Sequence, residues 1–529
     1  MRVLTRQEFF PDEVPANLPE DSPEPDFDTL VSRAADLDRR SQPLENVLSI
    51  LARENAALLP DNAGVPVPNP DDKPLFVVAG QQAGLFGGPL YTFYKALHAI
   101  RLARRLENAL SRKVVPLFWV ASDDHDFAEV SRLGIMTGDS SRKEIDYAPA
   151  GRQDDMPVGE IVLDDGIIAA LDTLASRISR NGAGERYLAL LRQSWKPGER
   201  WGAAFARQMA GLLSPYGLVL LDPRWPGMKT LFAPSVQAEL ERPLESTALV
   251  NRRADEQPTA RLRKEAIRRP PDATNLFLET DGVRLPLRFD GAVFIAGDSR
   301  FGKAELLALA ASSPERFSPG AALRPVFQDR LMPVLATIAG PGERVYLEQI
   351  EPLYRLFDVP RSAVWPRASF TVVDRKVLRY AEKEGVALPQ LFGEFDRIMG
   401  RISRETLPDS AAGAFSSLET AITDGFGRLV PEIAAIDNSL VESADRDRGR
   451  MLHILNDIRD RAVRAHRASR KTSERRIAAA VSFLMPEGRP QERWYGADAI
   501  LPVLDEFGFE AFIELTSPGE HLHRIVLPE

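Results

Sequence analysis

The sequence predicts an α/β protein whose parallel-sheet core is interrupted by two insertions and followed by a long α-helical coiled coil. Three observations carry that prediction. An apolar run, a glycine-crowded turn, a helix-period stretch and a second apolar run follow one another between Leu75 and Ser122, which is the order of a βαβ unit and hence of a parallel sheet. Short apolar runs closed by turn residues recur at "GLVLLD" (Gly217 to Asp222) and "MPVLATIAG" (Met332 to Gly340), as strands buried on both faces do. After Asp374, apolar residues fall into a sustained 4,3 spacing, the mark of a coiled-coil seam.

Taken in order, residues 27–58 have helical periodicity, and the proline-rich polar stretch "PDNAGVPVPNPDDKP" connects them to the first core strand, Leu75 to Ala79. A helix from about Leu90 to Leu110 leads to the strand "VVPLFWVAS" (Val114 to Ser122). Residues 131–210 are expected to be mostly helical. "NLFLETDGVRLPLRFDGAVFIAGD" (Asn275 to Asp298) places two Asp-Gly turns between alternating runs, the pattern of a small antiparallel meander. The coiled-coil seam runs through Ile422, Phe426, Leu429, Ile433, Ile436, Leu440 and Ala444, then Met451, Leu455, Ile458, Ala462 and Ala465, with Asp447 interrupting it. Pro431 within it should mark a helix start or a kink. The expected segments are N-terminal helices and the first half of the core over 1–130, a helical insertion over 131–210, a core strand within 211–240 and an insertion with a β-meander over 241–315. The second half of the core follows over 316–375, the coiled coil over 376–485, and a C-terminal segment packing on the core over 486–529.

Composition narrows the function. With 44% hydrophobic and 27% charged residues the chain is of ordinary globular type. No apolar run reaches the length of a membrane span and the start lacks the apolar segment of a secretory signal, so a cytoplasmic protein is expected. A net charge of −9 argues against a dedicated nucleic-acid binder. The Arg-rich run from Arg446 to Arg476 lies mostly off the seam and reads as a solvated face first, with RNA contact the lesser reading. There is no cysteine, which removes disulfides, thiolate metal sites and a cysteine nucleophile together.

Chemistry is concentrated at the strand ends. The turn holding Gly80, Gln81, Gln82 and Gly84 joins a strand to a helix, where outward N–H groups and the helix dipole suit an anion. Its spacing matches neither standard nucleotide fingerprint, and the glycines could equally serve only a tight turn. Lys95 lies one turn into the helix and could reach back to an anion, while the two glutamines offer amides suited to a polyhydroxyl substrate. The second strand ends in Asp123, Asp124, His125 and Asp126; His125 between carboxylates reads as a general base, with a helix cap as the alternative. A metal site is not expected, for lack of a second ligand motif. Arg324, Gln328 and Asp329 precede another strand and glycine turn, Gly340 and Gly342. If that strand adjoins the first, a second helix N-terminus and an arginine converge on one crevice, which would suit an anionic substrate.

Together "GQQAGLFGGPLYTFYKA", "PLFWVASDDHDFAEV", "YGLVLLDP", "LRPVFQDRLMPVLATIAGPGERVY" and "RPQERWY" resemble the bacillithiol biosynthesis cysteine-adding enzyme family, in the same order from about residue 70 onward. The resemblance implies a Rossmann-like core related to class I nucleotidylyl-transferases, with two connecting insertions and a coiled coil that forms a homodimer. It implies a ligase that joins the carboxyl of cysteine to the amine of glucosaminyl malate. It also places Gly80, Gln81, Gln82, Gly84, Lys95, Asp124, His125, Asp126, Arg324, Gln328 and Asp329 on the matching motifs; His125 with its flanking carboxylates is the expected base for such a reaction, by its position at the strand end. The family commonly has threonine where Gly87 stands and glutamate where Asp123 stands. Neither a HIGH signature nor a KMSKS loop is evident, so ATP as a co-substrate is left open by the sequence. Two other readings are weighed: another nucleotidylyl-transfer or amide-forming enzyme on the same fold, and a non-catalytic RNA-binding or scaffold protein using the basic helical arm.

Overall fold

The structure, a computed structural model, describes residues 2–10, 26–37, 43–60, 64, 66–136, 142–178, 182–259, 262, 266–405, 407–469, 471–516 and 523–528. Parts of the expected N-terminal helices, of the proline-rich connection and of the Arg-rich run lie outside the described residues. A short strand, β1 (Arg2–Thr5), precedes helices that end in α1 (Leu44–Leu58). The βαβ unit follows as β2 (Leu75–Gln81), α2 (Leu90–Leu110) and β3 (Val114–Val120). β2 and β3 are parallel, paired from Leu75↔Val114 to Gln81↔Val120.

The insertion expected to be mostly helical opens instead with an antiparallel pair, β4 (Arg132–Met136) and β5 (Arg142–Asp146). Leu133, Ile135 and Ile145 are buried at a strand's period of two, a signal too short to stand out before the helices that follow. β6 (Val219–Leu221) returns to the core. Next come β7 (Ala273–Thr280), β8 (Val283–Phe289), β9 (Phe294–Ala296), β10 (Ser299–Phe301) and β11 (Phe317–Pro319), in the spatial order β10-β9-β8-β7-β11. Asp281 and Gly282, both at positive φ, make the tight β7–β8 turn. β11 pairs with β7 and delivers the chain back to the core at Arg324.

β12 (Val334–Ala339), α3 (Pro341–Gln349) and β13 (Ala363–Pro366) complete a five-stranded sheet of order β13-β12-β2-β3-β6 in which every pair is parallel. The chain leaves β2 toward β3 and β6 and later fills the other side with β12 and β13. The order therefore reverses between β2 and β12, where a crevice opens beyond the strand ends. Both faces are covered. Leu75, Val77 and Ala79 belong to the apolar cluster that includes Phe93, Leu97 and Ile100 of α2, while Phe76 and Val78 belong to the one that includes Val47 and Leu51 of α1. The alternation explains why these strands are apolar throughout. At the sheet edge the buried Asn55 of α1 donates to Leu220 O and accepts from Leu220 N, both at 2.9 Å, which closes the free side of β6.

Beyond β14 (Phe370–Val372), α4 (Asp409–Ile436) and α5 (Val441–Ser469) form a hairpin across a single turn of 3₁₀ helix. Pro431 lies inside α4 rather than at a helix start. Ala444 and Leu455 are buried in the hairpin, but Leu429, Leu440, Met451 and Ile458 are exposed, as are Leu418 and Ile454, and Ile436 is 82% exposed. Within the Arg-rich run, Arg448 pairs with the exposed Asp445 at 3.3 Å, whereas Arg476 reaches the buried Glu384 at 2.8 Å. β15 (Arg524–Leu527) lies between β1, antiparallel, and β14, parallel.

Candidate functional site

A cavity of about 640 Å³ opens at the carboxyl ends of β2, β3 and β12. Gly80, Gln81, Gln82, Lys95, Asp124, His125, Arg324, Gly340 and Gly342 all line it. Three segments far apart in sequence thus meet where the strand order reverses.

The glycine turn contributes less than its spacing suggests. The N–H groups of Gly84, Gly87 and Gly88 donate to Gln82 O, Gly84 O and Leu85 O, and Leu90 N–H at the start of α2 donates to Tyr495 O at 2.7 Å. Donors already engaged inside the protein do not cradle a phosphate. Ala83 to Gly87 are buried, and Gly84 does not line the cavity: a Cβ there would stand 2.6 Å from Gly88 Cα. Gly87 has φ +95, and a Cβ on it would meet Gln208 Nε2 at 2.8 Å. The steric reading of these glycines accounts for both. Gly84→Ala is expected to cost about 1–3 kcal/mol through overpacking against backbone, read as a lower urea midpoint. Gly80 serves the cavity itself, since a Cβ would press on Trp119 O at 3.2 Å and approach Arg324.

Lys95 does reach back. Its ammonium donates to Gly80 O at 2.9 Å and Gln81 Oε1 at 2.8 Å, and pairs with Glu343 at 2.5 Å. Burial lowers its pKa, and the Glu343 carboxylate opposes that shift without cancelling it. Glu343 also accepts from Gly340 N–H at 2.8 Å, so the N-terminus of α3, expected to receive a substrate anion, is capped by the protein's own carboxylate. Lys95, Glu343 and Gly340 form one connected floor.

Arg324 faces the cavity from the first turn of its helix and donates to Gln328 Oε1 at 3.0 Å. Gln328 and Asp329, expected to touch ligand, are buried behind it: Gln328 donates to Asp329, and Asp329 accepts from Ser362 N–H at 2.8 Å. Burial raises the Asp329 pKa. A residue one turn deeper on the same helix face supports Arg324 without reaching the cavity.

At the end of β3, Ser122 hydrogen-bonds Asp222, whose pKa burial pushes up to about 6. Asp123 is buried between Lys229 at 2.8 Å and Arg224 at 2.9 Å. Burial alone would raise its pKa, but Lys229, Arg224 and Arg284 together hold it below the usual value. Asp124 accepts from His125 N–H at 2.8 Å and from Gln82 Nε2 at 2.8 Å, which ties the β3 end to the β2 end. Asp126 precedes the short helix Phe127–Val130 and faces a neighbouring cavity of about 560 Å³ that meets the first at His125. His125 Nδ1 lies 3.1 Å from the Arg284 guanidinium, and Nε2 lies 3.8 Å from Asp155.

Sequence reasoning missed most of the cationic wall. Arg284 comes from β8, Arg367 follows β13, and Arg493 comes from the C-terminal segment. Arg367 is buried and paired with Glu492, which also accepts from Ser369 Oγ at 2.9 Å. Its guanidinium lies 5.5 Å from the ring centre of Tyr91. Arg284 had a signal, a charged residue at an inward position of a strand; Arg493 stood inside "RPQERWY", a motif with no chemistry of its own. Arginines lining one cavity, with Arg284 in contact with His125, suit a substrate carrying carboxylates.

Two family profiles match the chain. Residues 32–368 match "Bacillithiol biosynthesis BshC, N-terminal Rossmann-like domain", and residues 370–527 match "Bacillithiol biosynthesis BshC, C-terminal coiled-coil domain". Among curated relatives named "Putative cysteine ligase BshC", that of Thermus thermophilus is 34% identical over 79% of this chain and 82% of its own. That of Koribacter versatilis is 32% identical over 80% of this chain and 78% of its own. That of Salinibacter ruber is 30% identical over 80% and 77%.

Proposed function

The chain belongs to the BshC family of bacillithiol biosynthesis, and from that premise we propose that this cysteine ligase joins the carboxyl of cysteine to the amine of glucosaminyl malate. The observation that carries the reading is the cavity at the sheet's reversal point, with Arg284, Arg324, Arg367 and Arg493 on its walls and His125 at the β3 end. The malyl group has two carboxylates, and Arg324 and Arg493 are the wall arginines placed to bind them, since Arg284 and Arg367 already donate to protein groups. Gln81 and Gln82 suit the sugar hydroxyls. Bringing both substrates into one crevice converts an encounter in solution into a step between held partners. Asp124 and His125 stand nearest the reacting end in this reading, and Asp126 lies on the adjoining cavity. Amide formation from a free carboxylate is uphill in water, so the cysteine carboxyl needs activation.

Purified protein incubated with cysteine and glucosaminyl malate, with and without ATP, is expected to yield the conjugate by mass spectrometry. Folded protein that makes none in either condition overturns the reading.

The exposed apolar residues of α4 and α5 support a homodimer formed through the helical hairpin. Ile436, Ile454 and Ile458 are among the large apolar residues left exposed on a single chain, and covering them with the same face of a second copy removes them from water. Ile458→Asp is expected to weaken that dimer by more than about 100-fold, through lost apolar burial and a buried charge on each copy. The monomer's fold should persist. Sedimentation equilibrium of variant and wild type checks this, and a monomeric wild type refutes it.

A further inference from the structure

We infer that Arg284 fixes His125 as the Nε2–H tautomer, so that the imidazole meets substrate as a hydrogen-bond donor and not as a proton acceptor. The inference rests on the ligase reading for its substrate and on local geometry for its chemistry. A guanidinium has only donors. The Arg284 Nη1 atom lies 3.1 Å from His125 Nδ1, so Nδ1 supplies the lone pair and the single proton of the neutral ring sits on Nε2.

Arg284 is not free to turn away. Its Nε donates to Ser318 Oγ at 2.9 Å, its second terminal nitrogen to Pro319 O at 2.9 Å, and its Cζ lies 3.7 Å from the ring centre of Phe277. The side chain is 7% exposed. Its backbone N–H donates to Asp155 O at 2.9 Å, which holds the Asp155 loop across the ring from the guanidinium. Of the groups facing the imidazole, Arg284 and Asp155 favour the proton on Nε2, and the Asp124 carboxylate opposes them on the Nδ1 side from a greater distance than the guanidinium. Nε2 lies 3.8 Å from an Asp155 carboxylate oxygen, an acceptor, and the nearer oxygen of Asp124 lies 4.0 Å from Nδ1. The other tautomer would set an N–H against the guanidinium N–H.

Nε2 is also placed for use. His125 lines both cavities, and the Asp155 contact at 3.8 Å is too long to be a hydrogen bond. A substrate oxygen entering between them takes the Nε2–H. A neutral imidazole held as a fixed donor stabilises an oxygen on which negative charge develops. Arg284 is the positioning residue and His125 the donor.

Two measurements test this. In protein labelled with ¹⁵N in its histidine rings, the resonances lost in His125→Ala identify His125. The expected wild-type pattern is unprotonated Nδ1 and protonated Nε2, changing to a mixture of tautomers in Arg284→Met. In turnover, His125→Gln retains an amide donor and should exceed His125→Ala by about tenfold or more. A wild-type ring protonated at Nδ1 overturns the inference, and so does a glutamine variant as inactive as the alanine one. The tautomer is read without substrate, so absence of conjugate from wild type would sink the ligase reading alone.

Discussion

Glu492→Ala is expected to destabilise the protein by about 3–5 kcal/mol, because it leaves a buried guanidinium without its counter-charge. Arg367 and Glu492 have side-chain exposures of 4% and 0%. Ser369, which shares Glu492, also contacts His523 at 2.7 Å, and His523 contacts Thr371 at 2.9 Å. The loss reaches function as well, since Arg367 lines the cavity and an unheld arginine binds a carboxylate less well. KM should rise more than kcat falls. Acid tests the same cluster. Burial pushes His523 down to about 4 from 6.5. The unfolded chain therefore binds a proton that the folded one refuses, and stability falls as pH drops from about 6.5 toward 4, by up to about 3 kcal/mol. Burial alone would raise the Glu492 pKa, but Arg367, His523 and Ser369 together hold it below its ordinary value; its contribution is present above pH 4.5 and lost as pH falls through the lowered value. Denaturant midpoints from pH 7 down to about pH 2, in wild type and Glu492→Ala, check both effects.

Asp123→Ala is expected to cost a comparable amount of stability, about 3–5 kcal/mol, and to lower turnover by about 10- to 100-fold through misplacement of the neighbouring pair. Asp123 is the carboxylate between Lys229 and Arg224. Arg224 keeps Glu160 and Glu279 when it is removed; among the described residues Lys229 keeps the Glu315 carbonyl at 3.1 Å. Asp124 and His125 follow directly, and Asp124 also holds Gln82. Asp123→Glu, which keeps a carboxylate between the two cations, should recover most of both losses. Thermal unfolding and conjugate formation measured on the same preparations separate stability from turnover.

The two strands beside the site and the helix between them were legible because their evidence is local. Leu75 to Ala79 is an apolar run, Leu90 to Leu110 has helical period, and both are bounded by residues that end such elements. The cavity's position followed from the βαβ order. Its chemistry followed less well, because hydrogen-bond partners are not written in the spacing of glycines. The N–H groups of Gly84, Gly87 and Gly88 are consumed within the turn, and Glu343 occupies the N-terminus of α3. Gln328 and Asp329 share a motif with Arg324, yet lie one turn deeper and buried. The arginine wall was least legible of all, since Arg284, Arg367 and Arg493 arrive from three segments whose convergence only the tertiary fold creates.

That convergence bears on how the molecule is made. Among the described residues β1 has one strand neighbour, β15, so residues 2–5 wait for residues 524–527 before they can pair. Arg493 and the Glu492 that steadies Arg367 also emerge late. During synthesis the Rossmann-like core can assemble with its crevice unfinished, and contacts of such long sequence separation close slowly. Until residues 492–527 have been made and folded home, the nascent chain would therefore hold a formed sheet and no working site.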